Sequence, residues 1–191
     1  FILNIPLSLG VLSFAQVGSF NISGQITCQR NDGLEGVNVA LLNQNGQLID
    51  SLSTDQNGNY VFTNVPIGAV GETYQVEAFY EGQPLNGVST FDMVMVTRHI
   101  LGVESLDPAE IVAADLNRSG TLTTFDLVQM RAWILFLPLT ATLTPPGWLL
   151  YREVNGQIQE GPFSVPSDNG NQVLNISAIK RGDVNGSAIC R

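Results

Sequence analysis

The chain has 191 residues, 44% of them hydrophobic and 13% charged, with 17 acidic against 8 basic side chains and a net charge of −9. That length and apolar content suffice for one or two domains with real cores. The acidity argues against nucleic acid or an anionic membrane as partner, since both call for basic patches, and it suits a protein that works among divalent cations.

Residues 1–17 read FILNIPLSLGVLSFAQV. One reading is the apolar core of a secretory signal, with Ser13-Phe14-Ala15 as a small-residue cleavage site. The pattern also alternates: Phe1, Leu3, Ile5, Leu7, Leu9 and Val11 are apolar, with Asn4, Pro6, Ser8 and Gly10 between them. Period two is the mark of a strand with one buried face. Pro6 cannot donate to a ladder, which confines such a strand to an edge. Residues 1–18 are therefore a candidate donor strand, which buries its face on its own chain or enters a neighbouring copy by strand addition. The segment is too short and too interrupted for a transmembrane helix.

From residue 19 to 80, alternating runs recur at short spacing: FNISGQITC, GVNVALLN, GQLIDSLST, GNYVFTNV and YQVEAFY. Asn31-Asp32-Gly33, Gln44-Asn45-Gly46, Gln56-Asn57-Gly58 and Pro66-Ile67-Gly68 separate them as turns. This predicts an antiparallel β-sandwich. The stretches SGQIT (23–27), GLEGVNVALLN (33–43), STDQNGNYVFTNVPIG (53–68) and YQVEA (74–78) resemble the prealbumin-like or carboxypeptidase-regulatory-like family, related to the Cna-B repeats of surface proteins. The resemblance implies a structural spacer without chemistry. Some Cna-B relatives carry a Lys–Asn cross-link, and residues 19–80 contain no lysine to make one. Asp55, Asn57 and Asn59 read as a hairpin turn rather than a cation loop.

Residues 81–137 carry a duplication. NGVSTFDMVMVTRHILG (86–102) and GTLTTFDLVQMRAWILF (120–136) share TFD followed by an apolar helix. Ser89 or Thr90, and Thr123 or Thr124, suit the helix starts. Asp107-Pro108-Ala109-Glu110 is a capping box that opens a short helix through about Ala114. Ahead of the second copy runs DLNRSGTLTTFD (115–126). Asp115, Asn117 and Ser119 offer oxygens at places one, three and five, Gly120 turns at six, and the Thr121 carbonyl and Asp126 close the loop. A hard cation such as Ca²⁺ takes six to eight oxygens at about 2.3–2.6 Å, and a loop of this spacing wraps one.

The first copy is incomplete. Counting back from Asp92 places Glu81, Gln83 and Leu85 at one, three and five, and Leu85 has no side-chain oxygen. The missing half recurs at GDVNGSA (182–188), where Asp183, Asn185 and Ser187 repeat the DxNxS of 115–119 and no closing carboxylate follows. These residues, the Val88 carbonyl and Asp92 are expected to form one split site around a second Ca²⁺, within one chain or across a subunit boundary. The alternative is an unoccupied Asn-Gly turn. Arg181-Gly182-Asp183 is also an RGD string. A duplicated loop and helix without a leading helix resembles the dockerin family, whose ligand places match Asp115, Asn117, Ser119, Thr121 and Asp126. That resemblance implies calcium and a cohesin-like protein partner. Ser119 stands where dockerins commonly carry a carboxylate, which predicts weak affinity, on the order of 10⁻⁴–10⁻³ M.

Residues 138–191 open with a Pro- and Thr-rich connector. WLLYREV, FSV and VLNISAIK then read as strands too few for a core of their own, expected to join the helical module or to receive the N-terminal strand. Trp133 and Trp148 read as packing anchors. Of the two cysteines, Cys28 and Cys190, neither sits in a metal-type spacing; they pair within or between chains in an oxidising compartment, or remain unpaired buried thiols. No nucleophile–base set, P-loop, GxSxG or GxGxxG is visible, and the one histidine, His99, sits beside Arg98 on a helix.

The expected fold is mainly β with a small α module: a prealbumin/Ig-like antiparallel β-sandwich plus dockerin-like calcium-binding helices. The expected function is that of a secreted, non-catalytic structural protein, with copies of itself as partners in a fibre built by N-terminal strand donation. The alternative is a binding module that anchors a secreted assembly through a cohesin-like protein.

Overall fold

The computed structural model describes residues 18–69, 71–137, 147–167 and 170–190. The candidate donor strand over 1–17, and most of the Pro-rich connector, lie outside them. Five strands come first: β1 (Ser19–Cys28), β2 (Asn38–Leu42), β3 (Leu48–Ser53), β4 (Asn59–Pro66) and β5 (Thr73–Phe79). Three helices follow, α1 (Thr90–Ile100), α2 (Pro108–Ala114) and α3 (Thr124–Ile134). Then come β6 (Trp148–Val154), β7 (Gln157–Glu160), β8 (Phe163–Pro166), β9 (Gln172–Val173) and β10 (Ile176–Lys180). The first five strands follow the alternating runs closely, because one side of β1, β2, β4 and β5 faces a shared core, while β3 is exposed except at Leu52. Phe20, Ile22 and Ile26 of β1, Val39 and Leu41 of β2, and Tyr60 and Phe62 of β4 point inward. Burying one such large side chain contributes about 1.5–3 kcal/mol.

Two sheets enclose that core. One has the order β4-β1-β10-β6-β7, with β9 also on β1, and the other runs β3-β2-β5-β8. Two expectations are corrected here. The strands after residue 147 do not simply add to the helices; they complete both sheets, β8 on β5 and β10 between β1 and β6. The sandwich is also not purely antiparallel, since β9 and β10 both run parallel to β1. Alternation sets which face of a strand is buried and leaves its partner and direction open. Gly24 is needed at this seam. A Cβ there would collide with the Leu174 carbonyl, which sits between β9 and β10 and accepts the Tyr60 hydroxyl at 2.6 Å.

The helices form a second core. Val88, Val96, Leu106, Ala114 and Met130 are buried together, with Leu116, Leu122, Met93 and Ile134 packed around them. Val184, from the far end of the chain, belongs to this core, whereas Ala188 and Cys190 belong to the sandwich core. Helix α2 lies on the sheet, where Ala113 packs with Leu149 and Ile179. No helix among the described residues is long and apolar enough to cross a membrane.

Candidate metal centres

The continuous loop folds around its own carboxylates. Asp115 accepts the Ser119 N–H at 3.0 Å on Oδ1 and the Gly120 N–H at 2.7 Å on Oδ2. Asn117 Oδ1 also accepts from Ser119 N–H at 2.9 Å. Asp126, fully buried, accepts from Leu116 N–H at 3.1 Å and Asn117 N–H at 3.4 Å on Oδ1. Its Oδ2 accepts from Thr123 N–H at 2.9 Å and from the Thr123 hydroxyl at 3.1 Å. The Ser119 hydroxyl donates to the Thr121 carbonyl at 2.9 Å. Thr123 caps α3 with a full capping box, so one carboxylate both starts the helix and closes the loop.

The two separated halves repeat this set bond for bond. Asp183 accepts the Ser187 N–H at 2.9 Å on Oδ1 and the Ala188 N–H at 2.7 Å on Oδ2. Asn185 Oδ1 accepts the same Ser187 N–H at 3.0 Å. Asp92 Oδ1 accepts from Val184 N–H at 2.8 Å and Asn185 N–H at 3.1 Å. Asp92 Oδ2 accepts from Ser89 N–H and the Ser89 hydroxyl, both at 2.8 Å, and Ser89 caps α1 with the same capping box. The Ser187 hydroxyl donates to the Gly87 carbonyl at 3.0 Å. Residues 183–188 thus take the first six places of the loop and residues 87–92 the last six, all in one chain.

The repeat moves one expected place by a residue. The Gly87 carbonyl, not the Val88 carbonyl, holds the place of the Thr121 carbonyl. Val88 instead buries its side chain in the helical core, as Leu122 packs against it from the other loop. The signal was present in the spacing, since Gly87 precedes Asp92 as Thr121 precedes Asp126. Gly87, at φ +79°, lies against the break: a Cβ there would meet Ala188 N at 2.6 Å and Asp183 Oδ2 at 2.7 Å. Arg118 and Gly186, both at the fourth place, share a left-handed backbone with φ of 56° and 64°.

The donor set fits a hard cation. Each loop gathers two carboxylates with neutral side-chain and carbonyl oxygens, and nitrogen and sulfur ligands are absent from both. Asp92, Asp126 and Asp183 are wholly buried, and none forms an ion pair among the described residues. Burial pushes the Asp183 carboxyl up, the Ala188 and Ser187 N–H bonds pull it down, and the nearby Asp92 charge pushes it up again. Like charges held together out of water invite a counter-ion. No three His, Cys, Asp or Glu side chains cluster among the described residues, so two formal charges per loop are what a cation would meet. Lys180, the one lysine of the chain, is buried nearby, its amine pulled down to about 8 by burial against the opposing attraction of Asp183.

Further contacts hold the divided loop from outside: the cysteine pairing is one of the two sequence readings, and the two hydrogen-bonded braces have no sequence signal. Cys190 forms a disulfide with Cys28 at the end of β1, with Cα atoms 6.3 Å apart. The Arg30 Nε–H donates to the Gly186 carbonyl at 2.7 Å. Asn86 exchanges two bonds with Ile189, accepting its N–H at 2.9 Å and donating to its carbonyl at 2.6 Å. The remaining candidates resolve simply. Arg181 and Asp183 are buried, so the RGD string is not displayed. Trp133 and Trp148 are buried, in keeping with packing. His99 is half-buried and its Nδ1 accepts the Leu106 N–H at 3.0 Å. Asp55 accepts the N–H groups of Asn57 and Asn59 as a hairpin turn, and its hydrogen bonds from Asn59 hold its carboxyl below the ordinary value.

Comparison with known proteins covers part of the chain. No curated protein matches it. Among solved structures, the major pilin subunit of Bacillus cereus is similar at 20% identity and a TM-score of 0.28, over 34% of this chain and 21% of that one. The Bacillus anthracis TIE protein is similar at 12% identity and a TM-score of 0.34, over 84% of this chain and 17% of that one. The chain thus spans about a fifth of the length of either. Residues 21–94 match the carboxypeptidase regulatory-like domain family, a stretch that runs from β1 into the first turns of α1.

Proposed function

We propose that this chain is a secreted, non-catalytic structural module clasped by two Ca²⁺ ions, one in the loop 115–126 and one in the divided loop of 183–188 and 87–92. The observation that carries the reading is the repeat of one hydrogen-bond set in both places, in the second between residues 92 positions apart in the chain. The cations would be held by Asp115, Asn117, Ser119, Asp126 and the Thr121 carbonyl, and by Asp183, Asn185, Ser187, Asp92 and the Gly87 carbonyl. They supply charge and cross-linking, not catalysis. With two carboxylates per loop, affinity falls in the weak range of extracellular modules. Calorimetric titration should find two sites. At a calcium concentration 100 times Kd, each site adds about 2.7 kcal/mol to folding stability. A melting temperature indifferent to EDTA would remove the metal from this account.

The disulfide suits an oxidising, extracellular setting. Within such a setting we read the module as part of an assembly of its own copies, with residues 1–16 donated to the next copy. That reading rests on the alternation of Phe1, Leu3, Ile5, Leu7, Leu9 and Val11, and polymers that persist after deletion of 1–16 would end it. A second reading is supported by the helices. Phe91 and Val94 on α1 with Leu101 at its C-cap, and Phe125 and Val128 on α3 with Leu135 at its C-cap, are exposed at matching places of the duplication. The spacing i, i+3, i+10 lines each trio along one face. Exposed apolar stripes mark protein-binding surfaces, which favours anchoring to a cohesin-like partner, as the dockerin resemblance implies. Pull-down with a cohesin, lost in a Val94→Asp/Val128→Asp variant, would separate this from self-assembly.

A further inference from the structure

We infer that the Cys28–Cys190 disulfide and the divided cation loop form one coupled unit, in which the oxidised bridge raises calcium affinity at that loop and bound calcium protects the bridge. The inference rests on the calcium reading above. Residues 183–188 are held on their upstream side by β10, which ends at Lys180 in the centre of a sheet. On the downstream side the first covalent hold is Cys190, two residues past Ala188. Between these anchors the half-loop must present Asp183, Asn185 and Ser187 to residues 87–92, which belong to a different core. Val184 enters the helical core while Ala188 and Cys190 enter the sandwich core, so the half-loop spans the two.

The placement that completes the loop is the placement that closes the bridge. Ala188 N–H must reach Asp183 Oδ2, Ile189 must meet Asn86, and Cys190 then stands at Cys28. The Arg30 bond to the Gly186 carbonyl ties the same half-loop to the strand end that carries Cys28. Without the bridge, ordering residues 183–188 costs conformational entropy that the cation must offset, and affinity falls accordingly. The loop at 115–126 has no such dependence, because all its places lie in one unbroken segment. Linkage makes the effect reciprocal: the factor by which oxidation tightens calcium is the factor by which calcium favours the oxidised form. Closing the bridge takes two electrons and two protons from the thiols, and a small-molecule disulfide accepts them and leaves as two thiols.

The test uses the full chain carrying Asp126→Asn, which cripples the continuous loop and leaves the divided one to be read. Calcium is titrated by calorimetry into the oxidised protein, the protein reduced with dithiothreitol, and the Cys28→Ser/Cys190→Ser form. We expect affinity to fall roughly 5- to 150-fold without the bridge, the usual span of coupling between sites. A second measurement needs no substitution: the reduction midpoint of the unaltered protein in a dithiol redox buffer, with calcium and with EDTA. A tenfold coupling moves that midpoint by about 30 mV towards more negative potential when calcium is present. Equal affinities with and without the bridge, or a midpoint unmoved by calcium, overturn the coupling while leaving the calcium reading intact. Absence of calcium binding in the unaltered oxidised protein overturns both.

Discussion

The continuous loop at 115–126 and the divided loop at 183–188 and 87–92 use the same side chains in the same roles, yet they hold different things together. In the first, Asp126 bonds to N–H groups only ten and nine residues away. In the second, Asp92 bonds to N–H groups 92 and 93 residues away. The local chemistry is equal and the chain entropy is not. Closing the continuous loop orders a short segment, whereas closing the divided one joins the sandwich to the helices. The surroundings differ in the same sense: Arg118, Ser119 and Gly120 are exposed, while at the matching places Gly186 and Ala188 are buried and Ser187 is half-buried.

The largest test of this contrast compares Asp92→Ala with Asp126→Ala. Both remove a helix-capping carboxylate and its four hydrogen bonds. Asp92→Ala also frees Val184 from the helical core, so in calcium it should cost about 3–4 kcal/mol against about 2 kcal/mol for Asp126→Ala. Urea denaturation measures both, and hydrogen exchange at the Val184 and Asn185 amides should accelerate only in the first. Equal losses would mean that the divided loop is no more than a second local turn.

A smaller effect probes the break itself. Gly120→Ala meets nothing within 4 Å and suffers only from φ +77°, a cost of about 1 kcal/mol. Gly87→Ala has the same backbone problem at φ +79° and also strikes Ala188 and Asp183, so its loss should be about 2–3 kcal/mol, with weakened calcium binding at the divided site alone. Thermal melts and calorimetry of the two variants settle the order.

The smallest effect runs the other way. Gln129 of α3 is 1% exposed, and neither its Nε2 nor its Oε1 has a hydrogen-bond partner. The matching place in α1 is Met95. Gln129→Met removes two unmet polar atoms at similar volume and should stabilise the protein by about 1 kcal/mol, read as a higher urea midpoint. A destabilised variant would show that the amide has a partner in solution.

Much of this was legible in the sequence, for a shared reason. The strands over 19–79, the caps Ser89, Asp107 and Thr123, and the oxygens at 115–126 and 183–187 depend on residues within a dozen places of one another. What escaped depended on partners far along the chain. The strands after residue 147 showed their alternation but not that β8 belongs on β5 or β10 parallel to β1. Nothing local marks Arg30 as a brace for Gly186, and having only two cysteines named Cys28 and Cys190 as a possible pair without showing that they meet.

The sequence by itself determined the spacing of the oxygens in the two loops, the helices they cap and the buried faces of β1, β2, β4 and β5, because backbone geometry and side-chain spacing carry those over short range. Only the tertiary structure decided that residues 183–188 open, within the same chain, the loop that Gly87 to Asp92 close. Bringing them together means closing a segment of nearly half the chain, and that closure is set by which faces bury one another: β10 beside β1, Val184 among the helices, and Cys190 in the sandwich. Burial is non-directional and additive over many contacts, so no single motif announces its outcome.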